Sequence, residues 1–254
     1  RFIQKHLKPK VMVGVQTSPH HAYCREAFVD RIKEMVNGIN ADVVIYYNGG
    51  KHWGFEDFKV KEYQGFKTGM EMLKEKQNIM RDDFLKGNYT HLFSLESDNI
   101  PNKNTIKDFL KHKVDLVSSL YFVKTIEHFA FEVPKGSSWW KMGLRNKGAV
   151  VRQKLIPSVW GIFGTQSRQW DIDDALPQRG LVRALSCGLG SVLISRNVLE
   201  KIKFRINEKQ FTDYTFWKDA FDLGFEGFVD TDNWAEHRHL ETDGDALTKW
   251  FEIA

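Results

Sequence analysis

Between residues 11 and 119, short apolar runs alternate with stretches in which apolar residues recur every three or four positions, and no other feature restricts the fold as much. Val11–Val15 is an apolar run broken by Thr17-Ser18-Pro19, as a buried strand entering a loop would be. Phe28, Ile32, Met35, Val36 and Ile39 then share one helical face, ending near Gly38. Asp42–Tyr47 predicts a second strand, closed by Asn48-Gly49-Gly50. Leu73, Ile79, Met80 and Phe84 predict an amphipathic helix over 69–86, with Gly87-Asn88 as its stop. His91–Leu95 predicts a third strand, a helix about Ile106, Phe109 and Leu110 follows, and Val114–Ser119 predicts a fourth strand. The order β-α-β-α-β implies an α/β fold with a mostly parallel central sheet and helices on both faces. Ligands of such sheets bind beyond the carboxyl ends of the strands, where Gln16-Thr17-Ser18 and Glu96-Ser97-Asp98 fall.

The second half is less regular. The stretch from about 134 to 183 follows no period and carries Trp139, Trp140, Trp160 and Trp170, which predicts hairpins or a lobe rather than one long loop. Ser191–Ser195 predicts a strand, and Val198, Leu199 and Ile202 a helix. Thr212 reads as the N-cap of a helix carrying Phe216, Trp217, Ala220 and Phe221, stopped by Gly224. Phe225–Thr231 predicts a last strand, which runs into Trp234–His239. With neither a repeat nor a linker, residues 1–254 read as a single domain with a Trp-rich insertion at about 134–183.

At 254 residues the chain can bury a large core. Its 37 Lys and Arg against 33 Asp and Glu give a charge of +4, not the dense basic stripe that phosphate backbones require. No nucleic-acid partner is expected, whereas anionic small molecules suit the surplus. Cys24 and Cys187 read as buried thiols of a reducing compartment, with a disulfide as the alternative. No run approaches the roughly 18 apolar residues of a membrane span, and Arg1–His6 does not open a secretory signal. A cytoplasmic protein is expected, peripheral at a membrane if its acceptor is lipid-linked.

Several residues can carry chemistry. Glu96 and Asp98 are two apart after an apolar strand, so on extended backbone their carboxylates leave one face and can hold a hard divalent cation; such residues equally cap a helix or solvate a turn. His237 and His239 flank Arg238 at the far end of the chain, as additional ligands for a Mn²⁺-type ion or as a solvated basic patch. Asp213 lies where a helix dipole favours an ionised carboxylate, as a base or as an ordinary helix-start acid. Lys76, Asn78 and Arg81 lie on or beside one helix face and can reach a phosphate or a base edge, or face solvent. Gly188-Leu189-Gly190 permits close approach of a ligand to backbone just before a strand.

Together these segments resemble the GT-A fold of nucleotide-sugar-dependent glycosyltransferases, close to the inverting family 2. His91–Glu96 followed by Ser97-Asp98 is similar to the family's strand ending in a D-x-D metal motif, with Glu96 in place of the first Asp. Thr212–Ala220 followed by Leu223-Gly224-Phe225 resembles the segment that begins Glu-Asp and carries the general base, which selects Asp213, with Thr212 in place of the Glu. Val229-Asp230-Thr231 resembles the closing strand whose His completes the metal site, and the count selects His237 over His239.

Val13–Thr17 is similar to the first strand and nucleotide loop, and Lys74–Asn78 to a basic helix segment beside the nucleotide. The resemblance thus implies donor contacts by Gln16, Thr17, Lys76, Asn78, Arg81 and Ser97, and acceptor contacts by Gly188, Leu189, Gly190 and Trp217. It implies a cofactor, Mn²⁺ or Mg²⁺, held by Glu96, Asp98 and His237. It implies a UDP- or GDP-sugar as donor, a glycan, lipid-linked or protein acceptor, and an inverting displacement with Asp213 as base. A sugar-nucleotide nucleotidyltransferase is the nearest alternative, although Gln16–His21 lacks the expected Gly-rich basic loop. A non-catalytic carbohydrate-binding protein of the same fold is the other.

Overall fold

The computed structural model describes residues 8–49, 54–63, 69–132, 147–163, 165–207 and 211–238. Strand β1 (Val11–Thr17) leads through a 3₁₀ segment (Pro19–Cys24) into helix α1 (Arg25–Val36), followed by β2 (Ala41–Asn48) and β3 (Lys59–Tyr63). Helix α2 (Gly69–Lys86) precedes β4 (His91–Glu96), β5 (Asn99–Pro101), α3 (Thr105–His112) and β6 (Leu116–Leu120). Then come β7 (Phe122–Glu132), β8 (Lys147–Pro157), β9 (Val159–Phe163), β10 (Gln166–Gln169) and the single turn α4 (Ile172–Ala175). Strands β11 (Leu181–Arg183), β12 (Ser186–Cys187) and β13 (Ser191–Ser195), helices α5 (Arg196–Lys201) and α6 (Thr212–Asp222), and β14 (Gly227–His237) complete the described chain.

The main sheet has the order β11-β14-β6-β13-β4-β1-β2-β3, with β5 added to the end of β14. Strands β4, β1, β2 and β3 are parallel, as are β6 and β14. β13 is antiparallel to both β4 and β6, a reversal that the apolar run at 191–195 did not signal. Its cause is the return path. The chain leaves β6 at Tyr121 and comes back beside that residue, with Ser158 N–H donating to Tyr121 O and Gly188 N–H donating to Ser158 O. β13 therefore starts at the carboxyl end of its neighbours and must run backwards.

The period-two alternation of β1 assigns its faces. Val11, Val13 and Val15 pack with Phe93 and Leu95 of β4 against Phe28, Ile32 and Met35 of α1 and Ile106 and Phe109 of α3. On the other face Gly14 leaves room for Met80 of α2, and Gln16 and Glu96 follow at the strand ends. α1 ends where Gly38 takes φ +75°, which an L side chain would resist. Thr212 is not the N-cap but the first helical residue of α6; Phe211, in extended conformation, caps it, and Thr215 Oγ1 is spent on backbone carbonyls.

By backbone contacts the described residues divide into one unit within 8–121 and 157–238 and a second within 122–156. The main sheet belongs to the first unit; β7 pairs with β8 in a separate two-stranded sheet. The predicted Trp-rich insertion is thus shared. Residues 157–183 form β9, β10, α4 and β11 of the first unit, with Trp170 buried, whereas Trp139 and Trp140 lie outside the described residues. Cys24 and Cys187 are both buried free thiols.

α6 packs on β14 so closely that a Cβ at Gly227 would fall on the indole ring of Trp217. Gly227→Ala should therefore cost roughly 1–3 kcal/mol through overpacking, read as a lower urea midpoint with unchanged slope; an unchanged midpoint would contradict this packing.

Candidate functional site

Most of the residues singled out above converge at the carboxyl ends of β1, β4, β6 and β14, while His239 lies outside the described residues. β4 stops at Glu96, and Ser97-Asp98 form a turn before β5. The expectation that Glu96 and Asp98 leave one face of an extended backbone fails at Ser97, because the backbone turns there; the two carboxylates still stand close enough for the charge of Asp98 to raise the pKa of Glu96. β5 pairs with β14 so that Asn99 faces His237, and Arg238 N–H donates to Asp98 O at 2.7 Å. The end of β14 is therefore seated beside the acidic turn by main-chain bonds.

Asp98 stands among imidazoles. Its Oδ2 lies 3.5 Å from His237 Nε2 and 3.9 Å from His21 Nε2, and its buried Oδ1 has no hydrogen-bond partner among the described residues. His237 stacks on Tyr121, with ring centroids 5.7 Å apart and planes 20° from parallel. Burial pushes both imidazoles below the usual histidine range, against the pull of Asp98, which keeps them neutral near pH 7. Among the described residues, no group of three or more His, Cys, Asp and Glu side chains is placed so that it could hold a metal ion as it stands.

Glu96 faces the other way. Its Oε2 is 2.8 Å from where a Gly190 Cβ would stand, and its main-chain N–H donates to Gly190 O. Burial first, then the charges of Asp98 and Asp213, push its carboxyl up to about 8, with Lys76 opposing. Lys76 is buried, donates to Asn48 Oδ1 at 2.9 Å, and is pushed down by burial to about 8. Glu96, Lys76, Asn48, Gln16, Thr17 and His21 line a cavity of about 210 Å³. Both amide atoms of Gln16 are buried without a hydrogen-bond partner among the described residues, an unmet demand at the cavity wall.

Asp213 is the second residue of α6. Its carboxylate accepts from Leu189 N–H and Thr212 Oγ1, while burial pushes its pKa up. The Gly188-Leu189-Gly190 turn therefore touches both acids. Gly188 is confined as well, since a Cβ there would fall on the Tyr121 hydroxyl.

The structure thus brings together Gln16, Thr17, Lys76, Glu96, Ser97, Asp98, Gly188, Leu189, Gly190, Asp213 and His237. It does not bring in Asn78, Arg81 or Trp217. Asn78 exchanges hydrogen bonds with the backbone of Phe204, and Arg81 Nε donates to Leu199 O and Ile202 O, so both tie α2 to α5 and the chain just after it. Trp217 is buried at the opposite ends of β6 and β14, beside a separate cavity lined by Leu116 and Gly227. Sequence reasoning missed His21 and Tyr121. Their position just past the ends of β1 and β6 was the available signal.

No family model and no curated protein matches the sequence. Solved structures do match. One crystal structure of S. aureus TarS (residues 1–349) is 14% identical, with a TM-score of 0.52 over 89% of this chain and 60% of that one. A second structure of S. aureus TarS is 13% identical, with a TM-score of 0.53 over 91% of this chain and 37% of that one. This chain therefore spans less than two thirds of either TarS chain. A197 from STIV is 15% identical at a TM-score of 0.48, over 91% of this chain and 87% of that one. TarS is a glycosyltransferase, and the fold of this chain is the GT-A fold, α/β with a mostly parallel central sheet.

The crowding of Glu96 has a pH signature. In the folded protein its carboxyl keeps a proton up to about pH 8, whereas in the unfolded chain it loses it near the ordinary value of 4.5. The folded state thus binds the extra proton, and stability falls as pH rises from about 4.5 to 8. In EDTA, Glu96→Gln should match wild type at pH 4 and exceed it in melting temperature at pH 8; a pH-independent difference would contradict the crowding.

Proposed function

We propose that this chain is a glycosyltransferase that moves a sugar from a UDP- or GDP-sugar to an acceptor hydroxyl, with inversion and with help from Mn²⁺ or Mg²⁺. The observation that carries the reading is the convergence of Glu96, Asp98 and Asp213 with His237 around the carboxyl ends of the sheet on a GT-A fold. Three carboxylates crowd a buried site in which Lys76 is the cation facing Glu96, and Asp98 Oδ1 is unpartnered there. Carboxylate oxygen beside imidazole nitrogen suits a Mn²⁺-type ion. The residues therefore fit the cation that the family resemblance implies, with Asp98 and His237 as its holders and Glu96 beside them. When bound, such a cation neutralises the diphosphate and lets the nucleotide leave.

The remaining steps belong to side chains of this chain. Gln16, Thr17, Asn48 and Lys76 line the cavity that takes the nucleotide, and the Gln16 amide has its hydrogen-bonding groups free for a ligand there. Asp213, with its pKa raised by burial, is a stronger base than an exposed aspartate. It takes the proton of the acceptor hydroxyl as that oxygen bonds to the anomeric carbon and the bond to the diphosphate oxygen breaks on the opposite face. The turn at Gly188–Gly190, held to Asp213 through Leu189 N–H, forms the acceptor wall. The acceptor belongs to the glycan, lipid-linked or protein class.

Purified protein should release nucleoside diphosphate from at least one UDP- or GDP-sugar when Mn²⁺ or Mg²⁺ is supplied, and EDTA should abolish release. Turnover indifferent to EDTA would overturn the metal role. Asp213→Asn should lower transfer by about 100-fold or more while donor binding, followed by calorimetry, stays nearly unchanged. Full activity in that variant would place the base elsewhere, and tight donor binding without turnover in wild type would favour a binding protein.

A further inference from the structure

We propose that His21 is a ligand of the divalent cation, which is held by Asp98, His237 and His21 while Glu96 stands outside the set. The inference rests on the metal-dependent reading above and changes its ligands.

The local chain explains how His21 arrives there. Pro19 starts the 3₁₀ segment just after β1, and Cys24, at its end, places its thiol 3.1 Å from Ser97 O and 3.2 Å from His21 O, its one proton shared between the two carbonyls. These bonds fasten the segment to the Ser97-Asp98 turn. The imidazole is then oriented by a hydroxyl chain. Ser97 Oγ donates its single proton to Thr17 Oγ1 at 2.7 Å, so toward His21 Nδ1, 2.8 Å away, it can only accept. Nδ1 carries the hydrogen, and in the neutral ring Nε2 presents a lone pair.

That lone pair is 3.9 Å from Asp98 Oδ2, which is itself 3.5 Å from His237 Nε2. A carboxylate oxygen and an imine nitrogen facing one another with no proton between them repel. A cation shared by both turns the same arrangement into an attraction. Ligands held at about 2.1 Å from an octahedral ion stand about 3 Å apart as neighbours and about 4.2 Å apart across it. The two spacings found here fall between those values, yet the three side chains do not form a metal-holding group as they stand, so His21 and His237 must draw in around Asp98 when the ion binds. Ser97 then has the role of the outer partner that fixes a ligating histidine's tautomer and ring plane. Glu96 lies on the α2 face of β4 toward Lys76 and Gly190, whereas the turn carries Asp98 toward β14.

The test reads the metal directly, with Mn²⁺ as the probe. Electron spin echo envelope modulation of the Mn²⁺-loaded protein should show two imidazole nitrogens in wild type and one in His21→Gln. Mn²⁺ titration followed by electron paramagnetic resonance should show Ser97→Ala weakened roughly 10-fold, and His21→Gln weakened more than roughly 100-fold, beyond what loss of an outer partner costs. Thermal unfolding in EDTA checks that each variant folds, and if His21→Gln does not, the nitrogen count of wild type decides. One nitrogen in wild type, or unchanged affinity in His21→Gln while Asp98→Asn loses binding, would overturn the role of His21 and leave the metal-dependent reading standing. Wild type that takes up no Mn²⁺ would overturn both.

Discussion

Glu96, Asp98 and Asp213 are drawn together where the parallel strands end, in a region buried enough that Glu96 is pushed to about 8 and Lys76 brought down to about 8. Like charges at short range in low dielectric repel strongly, and a chain that assembles them without function would lose stability for nothing. Main-chain bonds maintain the arrangement. Arg238 N–H holds Asp98 O, Glu96 N–H holds Gly190 O, and Leu189 N–H holds the Asp213 carboxylate. Because the backbone enforces the crowding, a cation or a proton must resolve it, and the rest of the site follows from which one does.

The reversed strand β13 is what makes this convergence possible. Starting at the carboxyl end of β4 and β6, it places Gly188, Leu189 and Gly190 against both Glu96 and Asp213. Neither glycine tolerates a side chain, since the Tyr121 hydroxyl and the Glu96 carboxylate occupy the space beside them. The same phenol stacks on His237. One residue past the end of β6 thus spaces the Gly188–Gly190 turn and His237. A buried thiol, Cys24, does the corresponding work for the loop after β1.

Much of this was legible in residue order because burial leaves a periodic trace. Val11, Val13 and Val15 alternate with Gly14 and Gln16, and Phe28, Ile32 and Met35 repeat at helical spacing, so the strands and helices around the site could be placed, along with Glu96, Asp98, Asp213 and His237. What stayed hidden depends on direction and distance. The antiparallel β13 is apolar like its parallel neighbours, so its reversal leaves no pattern. Arg81 and Asn78 look like ligand-binding residues on α2, yet backbone carbonyls and an amide more than a hundred residues away use them up. His21 has no periodicity to betray it; only the Ser97 hydroxyl and the Asp98 carboxylate, brought close by the fold, give it meaning.

A divalent cation at Asp98, as proposed, would resolve the enforced crowding. Anomalous diffraction from crystals soaked in Mn²⁺ and a nucleoside diphosphate, collected at the manganese edge, tests it most directly. One strong anomalous peak is expected beside the Asp98 carboxylate and His237, with diphosphate oxygens on its open side. A diphosphate bound at the strand ends with no anomalous peak at Asp98 would contradict it.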